Sequence, residues 1–138
     1  MKAGARVVTV VPLVGVAVIM AVFARPPWTA LRVAGAVLAV AGFTLLTLAR
    51  VQLGDAFSVT PQARMLVTRG LYSRIRHPVY VFSMLGIAGL SLYLRLPAIL
   101  LLLLIIVPVQ IVRARAEERV LEKRFGESYR EYKRQTWF

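Results

Sequence analysis

The chain lacks several residue types on which enzymes commonly depend. It has no cysteine, and His77 is the single histidine among its 138 residues. Disulfides, thiolate metal sites and a cysteine nucleophile are therefore excluded, as is a metal site built from several histidines. Neither glycine-rich nucleotide loop, G-x-G-x-x-G or G-x-x-x-x-G-K-[ST], occurs. These absences predict a protein with no metal and with none of the common nucleotide-binding loops.

Acidic residues are also scarce. Six Asp and Glu stand against 18 Lys and Arg, which gives a formal net charge of +12, while 59% of the residues are hydrophobic. Soluble domains average roughly 45–50% apolar residues. The apolar surplus therefore indicates a membrane protein, and the length predicts one domain over residues 1–138.

Four apolar segments predict an all-α integral membrane protein with four transmembrane helices. We place the spans at about 7–24, 33–49, 79–94 and 97–112. The last two come from one 34-residue stretch, which would be about 51 Å long as a single helix and is broken at Arg95 and Pro97. They should form a tight hairpin. A signal peptide is the alternative for the first run, but that run is long for one and a second span follows at once.

The distribution of basic residues predicts the orientation. With four spans, both termini, the 50–78 loop and the 113–138 tail share one side, which holds 15 of the 18 basic residues. Cytoplasmic loops carry such an excess of Lys and Arg. Both termini should therefore be cytoplasmic. The second span is rich in alanine and glycine, which predicts close helix packing and not a ligand site.

One segment whose residues could take part in binding or catalysis is the run Arg76-His77-Pro78-Val79-Tyr80. Pro78 favours a helix start and disfavours the α conformation at His77, so His77 should lie near the N-cap and Tyr80 in the first turn. The free N–H groups there, together with Arg76, suit an anion such as a carboxylate. The alternative is a plain helix start with Arg76 on a lipid phosphate.

A second segment continues the last apolar helix into water. Helical spacing places Ala114, Glu118, Leu121 and Phe125 on one stripe. Glu118 should therefore face the protein beside Glu117, which an ordinary solvated helix explains poorly. An anion site facing two acids suits a zwitterion with an added cationic centre, and S-adenosylmethionine is such a molecule.

The same two segments resemble a known superfamily. The run Leu66 to Tyr80 is similar to the G-x-Y…R-H-P-x-Y core of the isoprenylcysteine carboxyl methyltransferases and phospholipid methyltransferases. The tail, with Glu117-Glu118 followed by Leu121, Phe125, Gly126, Tyr129 and Tyr132, resembles their second motif. The likeness covers about residues 50–138. One departure is Phe82, where many relatives have glycine, and this bears on the shape of the pocket.

The resemblance implies a membrane methyltransferase that binds S-adenosylmethionine without a Rossmann domain. It implies cofactor contacts from the arginine-histidine-proline core and from the tail, at His77, Pro78, Tyr80, Tyr72, Glu117, Glu118, Tyr129 and Tyr132. Arg76 would hold the cofactor carboxylate or orient the loop, and the acids would meet its amino group or ribose. The acceptor would be lipid-like or prenylated and would enter from the bilayer.

The acceptor chemistry has two alternatives. A carboxylate needs a cation to hold it, for which Arg113, Arg115 or Arg74 is available, whereas an amine needs a base such as Glu118 or Glu117. The surplus of arginine on this face predicts O-methylation of a carboxylate, with phospholipid N-methylation second. A non-enzymatic protein that binds anionic membrane lipids is a further alternative. Nucleic acid is not expected as a partner, because the basic residues flank membrane spans.

Overall fold

A computed structural model describes residues 3–24, 27–54 and 66–137, with side chains from residue 10 onward. Within these ranges the chain forms five α-helices and no β-strand. The helices are α1 (Ala3–Val22), α2 (Ala30–Leu53), α3 (Pro78–Leu94), α4 (Ala98–Phe125) and α5 (Glu127–Gln135), and a 3-10 helix covers Gly70–Ser73. The all-helical prediction is confirmed, and each predicted span falls on a helix.

The helix bounds extend the predicted spans at several ends. Helix α2 continues through Arg50 to Leu53, so it takes the first four residues of the predicted 50–78 loop; residues 55–65 of that loop lie outside the described residues. Helices α2 and α4 are long and apolar enough to cross a bilayer. Helix α3 has 17 residues, or about 26 Å against a hydrocarbon core of about 30 Å. The four-span topology therefore stays a prediction.

Helices α2 and α3 make the closest contact in the fold. A Cβ added at Gly42 would overlap the backbone of Gly86, and one added at Gly89 would overlap the backbone of Ala39. Such contacts require residues without side chains on both helices, as in other membrane helix pairs. The small residues of the second span therefore serve packing, as the sequence predicts. The close contact with α2 therefore fixes the position of α3, including the start of α3.

An aromatic cluster joins the other ends of these helices. The Arg32 guanidinium lies 5.2 Å from the Trp28 ring centroid and 4.8 Å from that of Tyr93, and it donates a hydrogen bond to the Phe23 carbonyl. The Tyr93 hydroxyl donates to the Met20 carbonyl at 2.6 Å. Cation–π contacts are strongest where the cation is desolvated, and Arg32 is buried. The cluster thus ties α1, α2 and α3 together at the end opposite the Arg76-His77-Pro78 segment.

A tight hairpin links α3 to α4, as predicted. Arg95 adopts a left-handed conformation (φ 57°) at the end of α3, and Ser91 exchanges hydrogen bonds with Leu96 across the turn. The apolar part of α4, residues 98–112, then runs with little cover from the rest of the described protein. Lipid is the expected neighbour of this surface, because in water it would be an apolar patch of unusual size.

Candidate active site

The 3-10 helix is fixed against the end of α2. The Gln52 side chain accepts a hydrogen bond from the Leu71 N–H at 2.8 Å. Gly70 lies directly against this amide with a φ of 63°, a conformation that costs a residue with a Cβ about 1–2 kcal/mol. Tyr72, in the same 3-10 helix, is buried, with 6% of its surface exposed. Gln52 was not predicted as a site residue, and no pattern around it in the sequence signals this role.

The start of α3 has the predicted arrangement. His77 is the N-cap residue, Pro78 occupies the first turn, and no side chain caps the free N–H groups. His77 and Pro78 are both buried. The rings of His77 and Tyr80 are stacked, with centroids 5.6 Å apart. The proline that sets the helix start therefore also sets the position of the histidine.

Helix α4 brings the two acids to this helix start. Ala114 is buried, Glu117 and Glu118 are half-buried, and Arg115 and Arg119 are exposed, so the predicted inward stripe is confirmed. Glu118 lies at the centre of the cluster. Its Oε1 is 2.9 Å from Arg76 Nη1 and 3.3 Å from His77 Nε2. Residues more than 40 positions apart in sequence thus share one carboxylate.

Glu117 forms the second half of the cluster. Its Oε2 accepts a hydrogen bond from the Tyr80 hydroxyl at 3.1 Å and lies 3.7 Å from His77 Nδ1. The Arg113 guanidinium also interacts with the Tyr80 hydroxyl. The two ring nitrogens of His77 therefore face the two different glutamates.

The C-terminal segment closes over this cluster. The Tyr132 hydroxyl donates to the Tyr72 carbonyl at 2.6 Å, and Lys133 Nζ lies 3.0 Å from the second oxygen of Glu118. The Trp137 backbone pairs with residues 74 and 76 through two hydrogen bonds. The resemblance implies cofactor contacts from Tyr129 and Tyr132, and both are buried here. Lys133 was missed, although it follows Tyr129 by one helical turn.

Burial and charge set the protonation states of the cluster. Burial lowers the pKa of His77 below its ordinary value of 6.5, against the opposing effect of the two glutamates. Burial alone would raise the pKa of Glu118, but hydrogen bonds from Lys133 and His77 and the charge of Arg76 lower it below 4.5. Near neutral pH, Glu118 is therefore ionised and His77 neutral. His77 Nε2 then carries the ring proton and donates a hydrogen bond to Glu118.

We expect mild acid to destabilise the protein through His77. Its folded pKa lies below 6.5, so the unfolded chain binds more protons as the pH falls from 6.5 towards that folded pKa, and stability is lost in this window. Glu118 stays charged there, because its own pKa is lowered below 4.5. In thermal unfolding followed from pH 7.5 to 5, the His77→Gln variant should lose less Tm than the wild type. If Tm fell equally with pH in the wild type and in His77→Gln, this prediction would be contradicted.

Three buried polar atoms of the site have no hydrogen-bond partner among the described residues. They are the hydroxyls of Tyr72 and Tyr129 and the Nε of Arg76. Burial raises the pKa of both tyrosines, so both hydroxyls keep their protons. Buried polar groups in proteins are nearly always paired. Three unpaired groups around one ionised cluster therefore indicate a place for a polar ligand.

The structure brings the predicted site residues into one region. Arg76, His77 and Tyr80 contact the glutamates directly, Tyr72 and Tyr132 are joined by a hydrogen bond, and Tyr129 lies beside Tyr132. The exposed Arg74 and Arg115 stand apart from this buried core. Phe82 is buried in the same apolar cluster as Tyr72, so its side chain fills space beneath the site. Among the described residues, no group of three or more His, Asp or Glu side chains could hold a metal ion.

Comparison with known proteins supports the resemblance seen in the motifs. No curated protein matches the chain. The sequence profile described as "Phospholipid methyltransferase" matches residues 28–128, which cover α2, α3 and α4 and both glutamates. The match and the apolar helices together indicate a membrane protein and a methyltransferase. The chain therefore belongs to the phospholipid methyltransferase family, part of the superfamily that also contains the isoprenylcysteine carboxyl methyltransferases.

Proposed function

We propose that this protein transfers a methyl group from S-adenosylmethionine to a lipid-like acceptor at the cytoplasmic face of the membrane. The observation that carries the proposal is the junction of Glu118 with Arg76 and His77. It joins the two family motifs into one charged cluster at the end of the apolar helices. The excess of basic residues on this side of the four-span topology supports a multi-pass protein with both termini in the cytoplasm.

The unpaired groups of the site fit this cofactor. Arg76 Nε and the hydroxyls of Tyr72 and Tyr129 are buried donors, which suit the cofactor's carboxylate and ribose oxygens. Glu117 is an acceptor at the same place, and it suits the α-amino group when the acceptor is a carboxylate, which needs no base. His77, Pro78 and Tyr80 form the wall at the start of α3, and Tyr132 holds Tyr72 in place. When bound, the cofactor supplies a methyl group on a sulfonium, whose sulfur leaves as a neutral thioether.

The chain's own residues then have to align the acceptor and remove water. For an amine acceptor, the nitrogen lone pair forms the new bond to the methyl carbon as the carbon–sulfur bond breaks. An ammonium must first give its proton to a base. Glu118 is already held by Arg76, His77 and Lys133, so it serves best to position Arg76 and His77. Glu117, with fewer partners, is the better base.

Two observations favour an amine over the carboxylate predicted from the arginine surplus. The matching family is described by phospholipid methylation. In addition, Arg76 already forms an ion pair with Glu118, and Arg74 and Arg115 are exposed and so lie outside the buried site. Of the three arginines predicted to hold a carboxylate, Arg113 is the one that is half-buried. The amine is therefore our first acceptor class, and a prenylated or other lipid-like carboxylate is the second.

The non-enzymatic alternative explains less. A basic surface that binds anionic lipid accounts for the net charge. It does not explain why Glu118 and His77 are in contact inside the protein. Membership of a methyltransferase family also counts against it.

Methyl transfer to membrane lipid tests the function and the acceptor class together. Purified protein is incubated with S-adenosylmethionine labelled in the methyl group and with a membrane lipid extract. We expect label in the lipid fraction that base does not release as methanol, because the N-methyl bond is stable to hydroxide even where the acyl esters of the lipid are cleaved. Label released as methanol would instead support a carboxylate ester, and unlabelled lipid would contradict the proposed activity on membrane lipids.

A further inference from the structure

Helix α4 carries one polar residue on the inward side of its apolar part. The inward positions run from Leu103 through Gln110 and Ala114 to the two glutamates, at helical steps of three and four. The neighbouring Val109 is exposed. Gln110 therefore lies on the stripe that leads to the site, about 10 Å before Glu117 along the helix axis.

The side-chain oxygen of Gln110 is buried and has no hydrogen-bond partner among the described residues. An unmade hydrogen bond on a buried amide is costly, and more so at membrane depth, where water does not replace it. The amide oxygen can only accept. Any ligand group that satisfies it must therefore bring an N–H or O–H donor.

The position of Gln110 assigns that donor to the acceptor. The donors that suit the cofactor, at Tyr72, Arg76 and Tyr129, gather around Glu117 and Glu118, about two helical turns beyond Gln110 along α4. Gln110 lies on the bilayer side, from which a lipid-like molecule arrives. Arg113 lies between Gln110 and Glu117 along α4 and interacts with Tyr80. The stripe thus has a cofactor end and an acceptor end.

We propose that Gln110 positions the methyl acceptor by accepting a hydrogen bond from its headgroup, and that this headgroup carries an N–H or O–H donor. The proposal rests on the proposed methyltransferase function. With its amide in the described orientation, Gln110 favours headgroups that carry a donor.

Binding of a defined lipid tests this role without relying on turnover. Protein in detergent is first saturated with S-adenosylhomocysteine, and short-chain phosphatidylethanolamine is then titrated in. Gln110→Met, of similar volume but without the amide, should weaken lipid binding roughly 3- to 10-fold, the effect of one hydrogen bond. Gln110→Glu keeps an acceptor oxygen and should bind close to the wild type. Val109→Met, at the same depth but facing outward, is the matched control.

The outcomes separate the two proposals. Failure of the wild type to bind S-adenosylhomocysteine, seen before lipid is added, would overturn the proposed function and this inference with it. Normal S-adenosylhomocysteine binding without lipid binding, or equal lipid affinity in Gln110→Met and the wild type, would overturn the role of Gln110 alone. Weaker lipid binding by Gln110→Met, together with near-wild-type binding by Gln110→Glu, supports it.

Discussion

Replacing Glu118 with glutamine is expected to weaken S-adenosylhomocysteine binding about 100-fold. Glu118 is the common partner of Arg76 at 2.9 Å and His77 at 3.3 Å, and hydrogen bonds to charged groups contribute about 1.5–3 kcal/mol each. Losing the charge releases both donors from the geometry that faces the ligand. The ion pair with Lys133, which is 43% exposed, adds little, because solvent screens such pairs. Calorimetric titration of the detergent-purified variant measures the effect.

The matched control lies one helical turn further along α4. Glu122 also forms an ion pair, with Arg130 at 3.0 Å, but its side chain is 40% exposed against 19% for Glu118. Glu122→Gln removes the same charge from the same helix and should leave affinity nearly unchanged. Equal loss in both variants would point to the overall charge of the tail instead of the buried junction. If both variants kept the wild-type affinity for S-adenosylhomocysteine, Glu118 would not be a residue of the cofactor site.

Substituting alanine at Gly89 is expected to have the largest effect on stability. The added Cβ would overlap backbone atoms of Ala39, and backbone cannot move aside as a flexible side chain can. Overpacking of a tight contact costs about 1–3 kcal/mol or more, which exceeds the gain of about 1 kcal/mol from replacing glycine in a helix. Because the clash is with backbone, we expect the upper part of this range and a net loss of about 1–2 kcal/mol in the free energy of unfolding. Unfolding by sodium dodecyl sulfate in mixed micelles measures it.

Helix α1 offers the control for this substitution. A Cβ at Gly15 meets nothing within 4 Å, so Gly15→Ala should leave stability unchanged or raise it through helix propensity alone. If Gly89→Ala and Gly15→Ala behave alike, the close contact of α2 with α3 does not support the fold in the way described.

The local features of the site were predictable from the sequence because each follows from a short-range rule. Pro78 restricts the residue before it and starts a helix, which places His77 at the N-cap and Tyr80 in the first turn. Helical spacing turns Glu118 inward with Ala114. Small residues on the second span predict a close helix contact. In the structure, Gly42 of α2 and Gly89 of α3 lie at this contact.

The long-range contacts of the site were not predictable in this way. The tail, rich in charge, suggested a water-facing segment, yet Tyr132 reaches back to Tyr72 and Lys133 to Glu118. Gln52 holds the 3-10 helix from the end of α2. Each of these pairs depends on how distant helices are placed, which no spacing in the sequence specifies.

The surplus of arginine predicts an anionic acceptor, and this stays a prediction. The structure shows that much of the surplus lies outside the buried site. Arg76 is held by Glu118 within the cluster, Arg32 lies between two aromatic rings at the other end of the helices, and Arg115 is exposed. Counting charges by side predicts the orientation of the protein, whereas the chemistry depends on the few residues that are buried together.

Binding of S-adenosylhomocysteine to the purified wild-type protein tests the central claim most directly. Titration calorimetry in detergent should show one binding event per chain, abolished or strongly weakened in His77→Ala and Glu118→Gln and retained in Glu122→Gln. A folded wild-type protein that gives no heat of binding, with its thermal unfolding unchanged by the added ligand, would contradict the claim that this cluster is the cofactor site of a methyltransferase.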